Sequence, residues 1–291
     1  MSSLKFLSQF GLVLLGSSAS LQAFTTDFPS STFGIPDVGI PGADDPPAPI
    51  AGVDGWTIND SGADGGNGLT WLSTVDGANA AKLGGNYEAP TAQDVYLTHA
   101  VEGFPIEETI FQVDFTIVDS NENFNRDGFG LSLGTSGLGE TIGLNFLPVF
   151  DAIENVNAYH VEYSVGGVSQ GDLVSDYGYA FNIFPSSLYT LNLSFTANGA
   201  NPSFSGAING VDALGNPFFL PFSDVEMNGM GGRAVDTVSA VWNVDQTPNA
   251  VNGLGGDNLI AFTNLSVVPE PSAMLLGGLS LLGLMRRRRQ A

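Results

Sequence analysis

Phe111-Gln-Val-Asp-Phe-Thr-Ile117 and, after a polar loop, Asp127-Gly-Phe-Gly-Leu-Ser-Leu133 decide the fold class. In the first run Phe111, Val113, Phe115 and Ile117 alternate with Gln112, Asp114 and Thr116; in the second, Phe129, Leu131 and Leu133 alternate with small residues. Period-two alternation puts the apolar set on one face of a β-strand. The pattern recurs at Ile142/Leu144/Phe146, Tyr159/Val161/Tyr163/Val165, Leu191/Leu193/Phe195 and Val238/Ala240/Trp242/Val244, and Ile260 and Phe262 open a last strand. Clusters such as Asn198-Gly199, Asn209-Gly210 and Gly253-Leu-Gly-Gly-Asp257 separate the runs as turns. No long amphipathic helix is evident. The 20 aspartates outnumber the 10 glutamates, which also favours turns over helices. Residues 53–268 therefore read as an all-β, antiparallel β-sandwich. One domain is preferred to two smaller sandwiches, because no linker-like stretch divides it and no internal repeat shows.

The chain has 291 residues and a formal charge of −22. It has no cysteine, which excludes a disulfide scaffold, a thiolate metal site and a thiol nucleophile. The acidity argues against nucleic acid as a partner, since that needs a basic footprint. At 43% hydrophobic and 10% aromatic, the chain is too apolar for a disordered acidic polymer. Charge is unevenly placed. Thr25 to Val268 holds 29 acidic and 3 basic residues, while Lys5 and Arg286 to Arg289 mark the two ends.

Residues 1–23 read as a secretory signal peptide: Lys5, then the apolar run Phe10 to Gly16, then small residues with cleavage expected after Ala19 or Ala23. Residues 24–52 carry Pro29, Pro36, Pro41, Pro46, Pro47 and Pro49 and read as a linker or irregular lead-in strand. At the other end Pro269-Glu270-Pro271 precedes a short apolar run to Met285 and four arginines, Arg286, Arg287, Arg288 and Arg289. The signal segment reads as a helix, and this apolar run at the other end as a short transmembrane helix, a weak and temporary anchor because it is shorter than a comfortable span. The arginines would hold its end in the cytoplasm with the acidic bulk outside.

This three-part tail, residues 269–291, resembles a PEP-CTERM sorting signal. The resemblance implies export through the Sec machinery, transient insertion in the inner membrane, and processing near Pro-Glu-Pro by an exosortase. It further implies a Gram-negative source that makes exopolysaccharide or biofilm. Pro269, Glu270 and Pro271 would be read by that enzyme and are not a catalytic site of this chain. The middle is similar to the concanavalin A-like lectin/glucanase jelly roll, on Phe111 to Ile117, Asp127 to Leu133 and the closing Asp257 to Val267.

Gly167-Val-Ser-Gln-Gly171 matches G-x-S-x-G, but His99 and His160 both precede Ser169, so the chain order of a hydrolase triad fails and the segment reads as a hairpin turn. No E-x-D-x-x-E string of the kind found in laminarinase-type enzymes occurs. Glu107 and Glu108 would point to opposite faces of a strand, and Glu162 and Asp114 stand isolated in theirs. Asp119, Asn121, Asn123, Asn125 and Asp127 offer oxygens at alternate positions and form a candidate calcium loop, with Asp60 to Asn67 a second. Phe124 stands where an EF-hand loop needs glycine. Asp176-Tyr-Gly-Tyr179 is loop-like, so Tyr177 and Tyr179 are candidates to stack on a sugar. Trp242, alternating with Val238 and Val244, reads as core. The expectation is an exported, non-catalytic surface or matrix protein contacting polysaccharide, with calcium as its one candidate cofactor. The alternatives are a jelly-roll carbohydrate hydrolase and a purely structural envelope protein.

Overall fold

A computed structural model describes residues 24–26, 55–60, 70–75, 78–84, 94–119, 127–135, 138–151, 156–185, 187–198, 201–211, 216–243 and 258–269. Residues 1–23, most of the Pro-rich stretch, the loop positions Asn121, Asn123 and Asn125, most of the Asp60 to Asn67 segment, and the tail from Glu270 onward lie outside them.

The strands run β1 (Phe24–Thr26), β2 (Trp56–Asp60), β3 (Thr70–Val75), β4 (Ala78–Gly84), β5 (Asp94–Pro105), β6 (Thr109–Asp119), β7 (Gly128–Thr135) and β8 (Gly139–Asp151). They continue as β9 (Val156–Val165), β10 (Val168–Asp172), β11 (Asn182–Ile183), β12 (Tyr189–Asn198), β13 (Asn201–Val211), β14 (Pro217–Glu226), β15 (Ala234–Asn243) and β16 (Asn258–Pro269). Two eight-stranded antiparallel sheets result. The first has the order β14-β13-β12-β6-β16-β4-β3, with β1 added on β16; the second has β10-β9-β8-β7-β15-β5-β2, with β11 added on β9. The chain crosses between sheets on either side of β6, as a jelly-roll sandwich requires.

The alternation read from sequence is what the sandwich buries. Phe111, Val113, Phe115 and Ile117 face inward from the first sheet; Phe129, Leu131, Leu133, Ile142, Leu144 and Phe146 face inward from the second. Aromatic rings lock the two together. Phe115 stacks on Phe146 with centroids 4.9 Å apart, Tyr163 meets Phe204 edge-on at 5.8 Å, and Trp56 tilts against Phe262 at 5.7 Å. Such pairs contribute about 0.5–1.5 kcal/mol beyond area burial. Trp242 is fully buried, and its indole N–H donates to Asp127 Oδ2 at 2.9 Å. The Gly-Gly pair after Val165 turns β9 into β10, with φ of 60° at Gly166 and 76° at Gly167, the mirror-image turn that fits a hairpin. Ser169 lies in that hairpin and donates to Glu162 Oε2, so the G-x-S-x-G match carries no nucleophile elbow.

Two segments depart from their sequence pattern. Asn209-Gly210 is no turn: both residues lie inside β13, paired to Thr190 and to Phe218 and Phe219. Glycine is needed at 210 because the Tyr189 ring lies across it, and a Cβ there would meet Tyr189 Cδ1 at 2.3 Å. The tyrosine hydroxyl then accepts from the Phe184 amide and reaches the Val211 carbonyl. Glu107 and Glu108 do not alternate on a strand. They sit in a 3-10 turn, Ile106–Glu108, where the chain passes from β5 to β6, and Glu107 Oε1 accepts the Gly232 amide at 2.7 Å.

Candidate functional site

β9 sends Tyr159, Val161 and Val165 into the core, so His160, Glu162 and Ser164 lie on the outer face of the second sheet. Two bulges add carboxylates to that face. The β9–β10 ladder shifts between Ser169 and Gly171, leaving Gln170 as the extra residue and setting Asp172 opposite Glu162. Gly171, at φ 93°, supplies the left-handed backbone such a bulge uses. The β7–β8 ladder shifts in the same way, pairing Gly134 with Glu140 and passing over Thr141. Glu140 is thereby turned outward, and its Oε1 accepts the Ser164 hydroxyl at 2.6 Å; Asn145 Nδ2 donates to the same Ser164 oxygen at 3.2 Å.

His160, Glu162 and Asp172 form one cluster, with one ligand atom from each within 4.8 Å of the others. Glu162 is therefore not isolated, as its strand alone suggested. His160 Nε2 lies 2.9 Å from Asp172 Oδ1, and Nδ1 lies 3.1 Å from Asn182 Oδ1. Acceptors at both ring nitrogens suit the imidazolium. Partial burial alone would lower the histidine's pKa. The hydrogen bonds to Asp172 and Asn182, with the negative charges of Asp172 and Glu162, outweigh it, and His160 titrates above its ordinary value. One imidazole and two carboxylates suit a transition metal or zinc better than calcium, which prefers oxygen alone. A cation here would have to replace the imidazole proton.

Asp172 and Asn182 also bracket a loop. Leu173 and Phe181 plug its two feet into the core, while Tyr177 and Tyr179 project, 62% and 51% exposed. Their rings stack on each other, centroids 6.1 Å apart and 19° from parallel. The loop is built. Gly178 N–H donates to the Ser175 carbonyl, Ser175 Oγ donates to the Tyr179 carbonyl, and Asp176 takes the Ser223 hydroxyl while its amide donates to the Pro221 carbonyl. The sequence marks both tyrosines as loop residues, but not the cluster at the feet of their loop. Its one sequence signal is the alternation His160-x-Glu162.

The remaining candidates fall elsewhere. Asp127 is fully buried and Oδ2 is taken by Trp242. Asp119 ends β6, and the three asparagines of the candidate calcium loop lie outside the described residues. Asp114 faces outward from the first sheet and accepts from Thr190 and Asn264. Pro269 is buried at the end of β16, and Glu270, Pro271 and Arg286 to Arg289 lie outside the described residues. Among the described residues no helix is long and apolar enough to cross a membrane.

Residues 267–289 match the PEP-CTERM protein-sorting motif. Such a motif implies an exported chain whose membrane-anchored precursor an exosortase processes. No curated protein matches the sequence. Among solved structures the chain is similar to lectin II from Ulex europaeus (8% identity, 86% of this chain and 98% of that one, TM-score 0.45). It is also similar to a lectin from Bauhinia forficata in complex with GalNAc (10%, 85% and 97%, 0.43). A third is a marine PL-14 alginate lyase from Aplysia kurodai (11%, 73% and 90%, 0.42).

Proposed function

We propose that the chain is a surface or matrix protein that is sorted by its tail and binds glycan without transforming it. The loop from Leu173 to Phe181 is the contact. The observation that carries this is the exposed Tyr177–Tyr179 stack, bracketed by Asp172 and Asn182. Exposed aromatic faces of this kind are what the apolar face of a sugar ring stacks on. The precursor sits in the inner membrane after Sec export, and the sandwich is released to the outer surface or matrix, where exopolysaccharide is the ligand at hand. Calcium belongs to the same proposal, at the Asp119 to Asp127 loop.

A hydrolase is the second reading, because Glu162 and Asp172 bring carboxylate oxygens within 4.8 Å of each other, near the separation of a retaining glycosidase. Against it, each acid is already engaged by the protein, Asp172 by His160 and Glu162 by Ser169.

Residues 24–269, which contain every described strand, are the fragment to test. On a glycan array with and without EDTA, binding should fall in Tyr177→Ala and Tyr179→Ala while the fold persists. Silence of the wild type in both conditions sinks the binding proposal. Release of reducing ends that is lost in Glu162→Gln would favour the hydrolase.

A further inference from the structure

The sorting motif begins inside the fold. β16 runs through Val267 and Val268 to Pro269, in register with Phe111, Ile110 and Thr109 of β6. Pro269, the first residue of Pro-Glu-Pro, is buried. Lacking an N–H, it adds no donor to the ladder and closes the strand. The other side of β16 is covered as well. Leu265, Ser266 and Val267 pair with Thr26, Thr25 and Phe24 of β1. That strand starts directly after Ala23, one of the two positions where the signal peptide is expected to be cut. β1 and β16 are antiparallel, so the chain enters at Phe24 and leaves at Pro269 at one end of the sheet, and both export signals attach there.

An enzyme that cuts near a short motif needs it extended and unpaired, and a paired segment becomes a substrate only in its locally opened state. We infer that the sandwich withholds the head of its own sorting motif: tail processing requires the Val267–Pro269 end of β16 to leave β6 and β1. This rests on the tail being a substrate of an exosortase. Processing then competes with folding, and the stability of the β1–β16–β6 pairing sets how long the precursor stays anchored.

The full-length chain, made in a cell that contains the exosortase, tests this. Ile110 and Val268 are register partners, both only partly buried, in a chain without cysteine. Ile110→Cys with Val268→Cys creates the one thiol pair, which oxidises outside the cytoplasm. In a pulse–chase the locked double variant should lose the processed form and accumulate as precursor, while each single variant is processed normally and a reductant releases the block. As an independent arm, a short Gly-Ser insertion between Val268 and Pro269 frees the motif from the strand and should speed processing. Wild-type kinetics in the oxidised double variant, or no acceleration in the insertion variant, overturns the gate. A wild type left unprocessed, or processed equally without the exosortase, overturns the sorting reading and the gate with it.

Discussion

His160 Nε2 lies 2.9 Å from Asp172 Oδ1 because a bulge at Gln170 sets Asp172 opposite Glu162. Without that extra residue Asp172 would pair with Val161, whose side chain is in the core. The cluster is thus a product of one ladder irregularity, and it is the natural place to probe.

The histidine's pKa is raised, so its sign is fixed. The stability gained from protonated His160 is complete below the unfolded-state histidine value of about 6.5 and is lost as pH rises through the higher folded value. In EDTA, the melting-temperature gap between wild type and His160→Gln should be widest at acidic pH and shrink through neutrality. A gap that widens with pH would contradict the hydrogen-bonding arrangement.

Gly171 holds φ 93° within the bulge. A side chain there is strained, so Gly171→Val should destabilise by about 1–3 kcal/mol in urea unfolding. It should also weaken any ligand held by Asp172. Unchanged stability would mean the bulge tolerates a residue other than glycine.

Gly210 lies against the Tyr189 ring. Gly210→Ala forces that ring away from the Val211 carbonyl and overpacks the β12–β13 pair, a loss of about 1–3 kcal/mol. Combining it with Tyr189→Leu should recover part of the loss, since the two residues share one contact. Strict additivity in the double variant would argue against the contact.

Trp242→Phe keeps a ring in the core but removes the N–H that Asp127 accepts. Depriving a buried carboxylate of that donor should cost about 2 kcal/mol, read as a lower denaturant midpoint with an unchanged slope. A neutral outcome would mean the remaining partners of Asp127 suffice.

Much of the fold was legible because burial has a period. Phe111 to Ile117 and Phe129 to Leu133 announce inward faces residue by residue, and the structure buries them all. Turn chemistry was legible where it is local, as at Gly166-Gly167, and misleading where glycine answers a tertiary need, as at Gly210 beneath Tyr189. Tyr177 and Tyr179 were visible as a loop pair, but their mutual stacking was not.

By itself, then, the sequence determined an acidic all-β chain, cysteine-free, with a sorting tail, since composition, period and a terminal motif are local properties. Only the tertiary structure decided that Glu140, Glu162, His160 and Asp172 share a face, and that Pro269 belongs to both the motif and the core-bearing strand. Those facts depend on register. Register is set by bulges and by the pairing of strands far apart in the chain, and a one-residue shift moves a side chain to the opposite face.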